Sequence, residues 1–298
     1  MLRVNLGDAI VRIPVHEIRG QRPGKTLLIT GGMDGDEYAG IEAGYQLAEK
    51  YRNGQFEGRL IIIPIVNIPG FEGECSQNPL DGKFPKYIFP GKADGSSTER
   101  LMHWLSSNYI SQADVWHDLH AGAITEGLRP FVSLYQTGTP SVDEFTQTLV
   151  HSLDAERVVI ERARRNSKAE KLARAGTAYI LAESGERGNR DEASIARHIS
   201  WAESTMRVLG MLTDAQPKRL SSPTIFTGVR YLLAPTNGLW RPSLPVQNSF
   251  KKGDMVGIFQ KLHNRKSSTL RSPASGTPLW WKETLRAKKG DVLMAVGQ

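Results

Sequence analysis

Residues 27–37 read Leu-Leu-Ile-Thr-Gly-Gly-Met-Asp-Gly-Asp-Glu. An apolar run breaks at paired glycines and delivers Asp34, then Glu37 one helical turn later, to the expected start of a helix. A second apolar run, Val-Trp-His-Asp-Leu-His over residues 115–120, ends in His120. Two carboxylates and a histidine at strand ends can hold one divalent ion with a position left open for water, the layout of a hydrolytic metal centre. Asp118 would then orient or polarise His120 from behind. Glu183 closes a third apolar run, residues 178–182, just before a Ser-Gly turn. There it is placed to act as a general base on water and to return the proton to a leaving nitrogen. Each residue has a plainer reading as well. Residues 31–37 also suit a tight strand-to-helix connection, with glycines at positive φ and acids at a helix N-terminus. A strand histidine is usually a satisfied core residue, and Glu183 also fits an N-cap or loop acid.

Elements to position these residues follow from periodicity. Apolar runs predict strands at 25–30, 60–66, 115–119, 131–135, 157–160 and 178–182, several of them continuous enough to be buried on both faces. Amphipathic patterns predict helices at 37–51, 97–110, 142–153 and 192–212, the second opened by the capping box Ser96-Ser97-Thr98-Glu99. The alternation argues for an α/β fold, a mostly parallel or mixed sheet flanked by helices. In such sheets the ligand crevice lies beyond the carboxyl ends of the strands. Asp34, Asn67, His120 and Glu183 each follow a candidate strand, so they can converge there.

Composition narrows the class. The 298 residues are 39% hydrophobic and 23% charged, as in a soluble globular protein. No apolar stretch is long enough to span a membrane, and the N-terminus has no apolar signal region, so a cytoplasmic protein without membrane association is expected. The single cysteine, Cys75, excludes an internal disulfide and a cysteine zinc cage. The net charge of +7 raises the question of nucleic acid. The densest basic run, residues 161–174, has helical spacing, interspersed glutamates and no aromatics, which reads as a solvated helix face rather than a binding surface.

From residue 221 the pattern changes to short strands and turns. Leu-Ala-Pro-Thr-Asn-Gly at 233–238, followed by Lys-Lys-Gly-Asp at 251–254, is echoed by Arg-Ser-Pro-Ala-Ser-Gly at 271–276 and Lys-Lys-Gly-Asp at 288–291. The echo predicts residues 1–220 as a hydrolase domain and 221–298 as a small pseudo-symmetric β-barrel resembling biotinyl and lipoyl carriers. It lacks their methionine-flanked lysine, so a structural or pocket-lining role is expected. An interaction module displaying Leu239, Trp240, Trp280 and Trp281 is the other reading, although tryptophans in a small barrel are more often core.

Together these motifs resemble the succinylglutamate desuccinylase and aspartoacylase family, relatives of the zinc carboxypeptidases. Its motifs Gly-x-His-Gly-x-Glu, Asn-Pro-x-Ala-Phe, Asp-Gly-x-Asp-Leu-Asn-Arg-x-Phe-Pro-Gly, Asp-Leu-His and Glu-Gly fall here on residues 32–37, 67–71, 81–91, 118–120 and 183–185. The resemblance spans most of residues 1–215 and implies zinc held at positions 34, 37 and 120, with Glu183 as the catalytic carboxylate. It also marks departures. The family's first histidine ligand is Asp34, its Asn-Arg pair falls on Lys86 and Tyr87, and an upstream arginine falls on Ser76. Without two guanidinium forks, the features best matched to a substrate carboxylate are gone. Two carboxylates and one histidine would bring a zinc site to formal neutrality. That raises the pKa of its water above the roughly 7 of catalytic zinc and makes manganese more competitive.

The expectation is therefore a metal-dependent amide hydrolase acting on small N-acylated amines or peptides, with zinc or another divalent ion such as Mn2+. Asp34, Glu37 and His120 would be ligands, and Glu183 would move protons. Lys86, Tyr87 and Ser76 would contact substrate or an oxyanion. The alternative is a catalytically silent relative that binds a ligand or metal. The oligomeric state stays open, a homo-oligomer included.

Overall fold

The computed structural model describes residues 1–215, 222–244, 246, 248–262 and 266–298. The chain opens with a hairpin, β1 (Leu2–Asn5) and β2 (Ile10–Ile13), and β3 (His16–Arg19). There follow β4 (Thr26–Gly31), α1 (Tyr38–Tyr51), β5 (Arg59–Ile63), the short α2 (Ile68–Glu72) and α3 (Ser97–Asn108). Next come β6 (Val115–His120), β7 (Glu126–Leu128), β8 (Phe131–Gln136), α4 (Pro140–Ser152), β9 (Arg157–Arg162), α5 (Lys168–Arg174), β10 (Ala178–Glu183), α6 (Glu192–Val208) and β11 (Thr224–Phe226). An eight-stranded sheet runs in the order β11-β9-β8-β10-β6-β4-β5-β3. Its pairings are parallel except β3–β5 and β8–β10, so the sheet is mixed.

Side-chain alternation along these strands decides what each face does. Leu27 and Ile29 of β4, Val115 and Leu119 of β6 and Ile180 of β10 pack on the apolar stripes of α1, α4 and α6. The intervening Leu28, Trp116 and Tyr179 face α3, against Leu101, Met102 and Leu105. The predicted strands and long helices are all present, and the capping box at α3 is made, with the Ser96 amide donating to Glu99 Oε2 at 3.0 Å. The basic run is not one solvated helix. Residues 161 and 162 end β9, and α5 begins only at Lys168, its Ser167 cap accepting from the Glu170 amide. No helix among the described residues is long and apolar enough to cross a membrane.

The C-terminal part carries β12 (Val229–Leu233), β13 (Gly238–Pro242), β14 (Met255–Lys261), β15 (Ser267–Arg271), β16 (Thr277–Lys282), β17 (Arg286–Ala287) and β18 (Val292–Gly297). These form two four-stranded sheets, β12-β18-β16-β7 and β15-β14-β13-β17, rather than the closed barrel expected. β7, a strand lent by the main fold, occupies the edge beside β16. The pseudo-symmetry is present in the turns. The Lys251 amide donates to Asp254 Oδ2 at 2.8 Å and the Lys288 amide to Asp291 Oδ2 at 3.0 Å. Each turn then pairs with the other repeat: the Ser272 amide with the Asp254 carbonyl, and the Ala234 amide with the Asp291 carbonyl, both at 2.8 Å. Trp240 and Trp281 are buried in the core between the sheets, so neither is displayed for a partner. The expected boundary between residues 220 and 221 lies outside the described residues. Just beyond it, β11 joins the main sheet against β9.

On the face of the sheet that packs on α6, two buried histidines make few polar contacts. His117 reaches Thr205 Oγ1 at 3.2 Å, and His198 Nε2 donates to the Ser184 carbonyl at 3.0 Å. His117 Nε2 and His198 Nδ1 have no partner. Burial holds their pKa values down, to about 4 and about 3. The unfolded chain therefore takes up protons below pH 6.5 that the fold refuses. Stability is fully present above pH 6.5 and should fall as pH drops from 6.5 toward 4, by up to about 1.4 kcal/mol per pH unit per histidine. Urea unfolding across that window checks this, and a His198→Gln variant should show a shallower slope.

Candidate metal centre

The loop after β4 is shaped by its glycines. Gly32 takes φ of +57°, and the amides of Val66 and Asn67 bond back to the carbonyls of Gly31 and Gly32 at 3.0 and 2.9 Å. Gly35 lies so close to α2 that a Cβ there would stand 2.1 Å from the Gly70 carbonyl carbon. Held between β5 and α2, the loop presents Asp34 and places Glu37 as the residue capping α1. Asn67 is not part of the chemistry. It caps α2, accepting from the Gly70 amide at 3.1 Å, and its amide reaches the Ser76 carbonyl at 3.4 Å.

Asp34, Glu37 and His120 are all buried and offer ligand atoms within 4.8 Å of one another. Glu37 Oε2 faces His120 Nδ1 at 2.7 Å and accepts from the Ala121 amide at 3.0 Å. On the other side of the ring, His120 Nε2 stands 3.2 Å from Asp118 Oδ2. Burial disfavours the charged imidazole, yet the Glu37 and Asp118 carboxylates hold its pKa well above the usual histidine range. Burial pushes the Glu37 carboxyl well above its usual range too, and a hydrogen bond closes Glu37 on His120 Nδ1. Asp34 Oδ1 is buried and has no hydrogen-bond partner. An oxygen so placed, next to a carboxylate and an imidazole, suits a divalent cation, so the residues fit a metal. Zinc takes such N and O donors, and manganese accepts the two carboxylates readily.

Strand register supplies the rest of the cluster. Glu183 ends β10 directly opposite His120 of β6, and both side chains fall on the face toward α3. Its Oε2 is buried without a partner, and burial raises its pKa to about 8. One step down the same face, Asp118 accepts from the Thr30 hydroxyl at 2.6 Å and the Tyr179 hydroxyl at 3.0 Å. Burial would raise the pKa of this acid, but His120, Lys168 and these hydrogen bonds bring it to about 2. Trp116 Nε1 donates to Thr30 at 2.7 Å, and Lys168 Nζ donates to Tyr179 Oη at 2.7 Å while lying 3.9 Å from that ring's centroid. Burial lowers the pKa of Lys168 to about 8.

Three residues expected on substrate occupy different surroundings. Lys86 Nζ is ion-paired with Asp34 Oδ2. Ser76 donates its hydroxyl to Asp36 Oδ1 at 2.7 Å. Tyr87 is 75% exposed, its ring tilted against Phe84. Sequence reasoning missed Thr30, Tyr179 and Lys168. Their signal was polar residues recurring at every second position of otherwise apolar strands, and one lysine hidden in a run read as surface. It also missed Glu126 of β7, whose pKa burial raises and whose charge is felt by Lys86, Asp34 and Asp36.

The family profile described as succinylglutamate desuccinylase/aspartoacylase catalytic domain matches residues 23–209. An N-alpha-acetyl-L-2,4-diaminobutyric acid deacetylase of Halomonas elongata is 39% identical over 124 residues, which are 41% of this chain and 36% of that protein. The match thus spans little more than a third of that relative. The structure of a succinylglutamate desuccinylase/aspartoacylase from Rhodobacter sphaeroides superposes with a TM-score of 0.84 at 23% identity, covering 97% of this chain and 90% of that one. The product-bound ectoine utilization protein EutE (DoeB) from Ruegeria pomeroyi does so with a TM-score of 0.83, at the same identity and coverage. At such identities the likeness establishes the fold.

Tyr179 joins Lys168 to the buried Asp118, and removing its hydroxyl leaves both charges short of a partner. Tyr179→Phe should lower unfolding stability by about 1–3 kcal/mol, which urea denaturation measures. A change within error would show that the two charges do not depend on the phenol.

Proposed function

The chain belongs to the succinylglutamate desuccinylase/aspartoacylase family, and on that premise we propose that it is a metal-dependent hydrolase of the amide bond in small N-acylated amines. The observation that carries the reading is the buried Asp34, Glu37 and His120 triplet beside an unpartnered oxygen of Glu183. Asp34, Glu37 and His120 would hold zinc or a comparable divalent ion, which when bound supplies electrophilic polarisation and a more acidic water. Asp118 keeps Nε2 of His120 engaged and so turns Nδ1 toward Glu37. Glu183, its pKa raised to about 8 by burial, would in its ionised form take a proton from water and return it to the departing nitrogen.

The surroundings favour a substrate with a free ammonium over a dicarboxylate. Lys86, the cation best placed for a carboxylate, is already paired with Asp34. Asp36 and Glu126 add negative charge nearby, each felt by Asp34 or Lys86. The Halomonas relative is named for an N-acetylated diamino acid, and an N-acyl diamine or N-acyl diamino acid suits this site as well.

Elemental analysis after metal-supplemented expression tests the ligand set. Wild type should carry about one divalent ion per chain and Asp34→Ala much less. Equal, low metal in both would refute the site. A panel of N-acetylated amines, with and without a second free amine, tests the chemistry. Glu183→Gln should keep its metal and lose about 100- to 10,000-fold in kcat. Turnover untouched by that change would remove Glu183 from its role, and no turnover by the metal-loaded wild type would favour a silent binding protein.

A further inference from the structure

Asp34 and Lys86 carry opposite charges, and the structure brings them into contact. Lys86 Nζ is ion-paired with Asp34 Oδ2, while Asp34 Oδ1 stays buried and unpartnered. The Asp34 side chain is 1% exposed, so its charge needs a cation from within the protein. Lys86 is held to supply one. It sits in a 3-10 turn, Pro85–Tyr87, whose Ile88 amide closes on the Pro85 carbonyl at 2.9 Å. Its ammonium lies 5.5 and 5.6 Å from the Phe84 and Tyr87 ring centroids, contacts that favour a cation. The two charges therefore compensate each other within the site.

We infer that Lys86 is the built-in counter-ion of the metal site: it balances Asp34 in the metal-free protein and so competes with a divalent cation for Asp34, Glu37 and His120. The inference rests on the metal reading given above. Two cations drawn to one carboxylate repel each other, so the free energy that Lys86 contributes to the metal-free state is subtracted from metal binding. The lysine can yield because its charge rides on a flexible four-carbon stem. In this account position 86 sets metal affinity rather than gripping a substrate carboxylate.

The test is zinc affinity by competition titration with a chelating dye, together with thermal melts of the metal-free proteins at one pH and ionic strength. Lys86→Met should bind zinc about tenfold more tightly than wild type or better. Its metal-free form should melt lower, and added zinc should raise its midpoint further than that of wild type. Lys86→Arg, which keeps the charge, should bind zinc as wild type does. The neutral pair Asp34→Asn with Lys86→Met should recover the metal-free midpoint lost in Lys86→Met. If Lys86→Met does not fold, Lys86→Gln takes its place with the same expectations. Zinc bound by both proteins but no more tightly by the variant would overturn the counter-ion role alone. Zinc bound by neither would overturn the metal reading and this inference with it.

Discussion

Four carboxyl groups, on Asp34, Glu37, Asp118 and Glu183, are gathered at or near the carboxyl ends of three adjacent strands, and the structure around them is arranged to make that much buried negative charge tolerable. Three of the four have a direct partner. Asp118 has the Thr30 and Tyr179 hydroxyls and the ring of His120. Glu37 has the Ala121 amide and His120 Nδ1. Asp34 has Lys86. Glu183 Oε2 has no direct partner, and burial raises the pKa of its carboxyl to about 8. A carboxyl that titrates near neutrality suits the acid–base role proposed for Glu183, and burial pushes the Glu37 carboxyl well above its usual range as well.

The sheet makes this possible through register and alternation. β4, β6 and β10 lie side by side, so Thr30, Asp118 and Leu181 share one level, and Gly31, Leu119 and Ala182 the next. Because side chains alternate, Thr30, Trp116, Asp118, His120, Tyr179 and Glu183 all turn toward α3. The residues between them turn toward α1 and α6 and close the apolar core. A slip of one residue in β6 would send His120 into that core and bring His117 to the site. Lys168 extends the same logic outward, reaching Asp118 through Tyr179 from the start of α5.

Much of this was legible in the sequence, and the exceptions have physical causes. Continuous apolar runs marked the central strands, and breaks at glycine marked where Asp34 and Glu183 leave them. The residues at the strand ends therefore pointed to the Asp34, Glu37 and His120 cluster and to Glu183 opposite His120. Lys86 was legible as a charge but not as a partner, because the contact with Asp34 joins two segments that the sequence separates widely. Lys168 was misread because a basic run carries the same composition whether one of its members turns inward or all stay in water. The two half-repeats of the C-terminal part announced their own symmetry. The addition of β7 beside β16 could not be read there, since β7 is supplied by a distant segment of the main fold.

The central claim is that one divalent cation belongs among Asp34, Glu37 and His120. Anomalous X-ray diffraction from crystals of zinc-loaded protein, collected on either side of the zinc edge, measures this most directly. A single strong anomalous peak within coordination distance of a carboxylate oxygen of Asp34, a carboxylate oxygen of Glu37 and Nδ1 of His120 is the result the account predicts. Density showing Glu37 still closed on His120 and Lys86 still closed on Asp34, with no anomalous peak between them at saturating zinc, would contradict it.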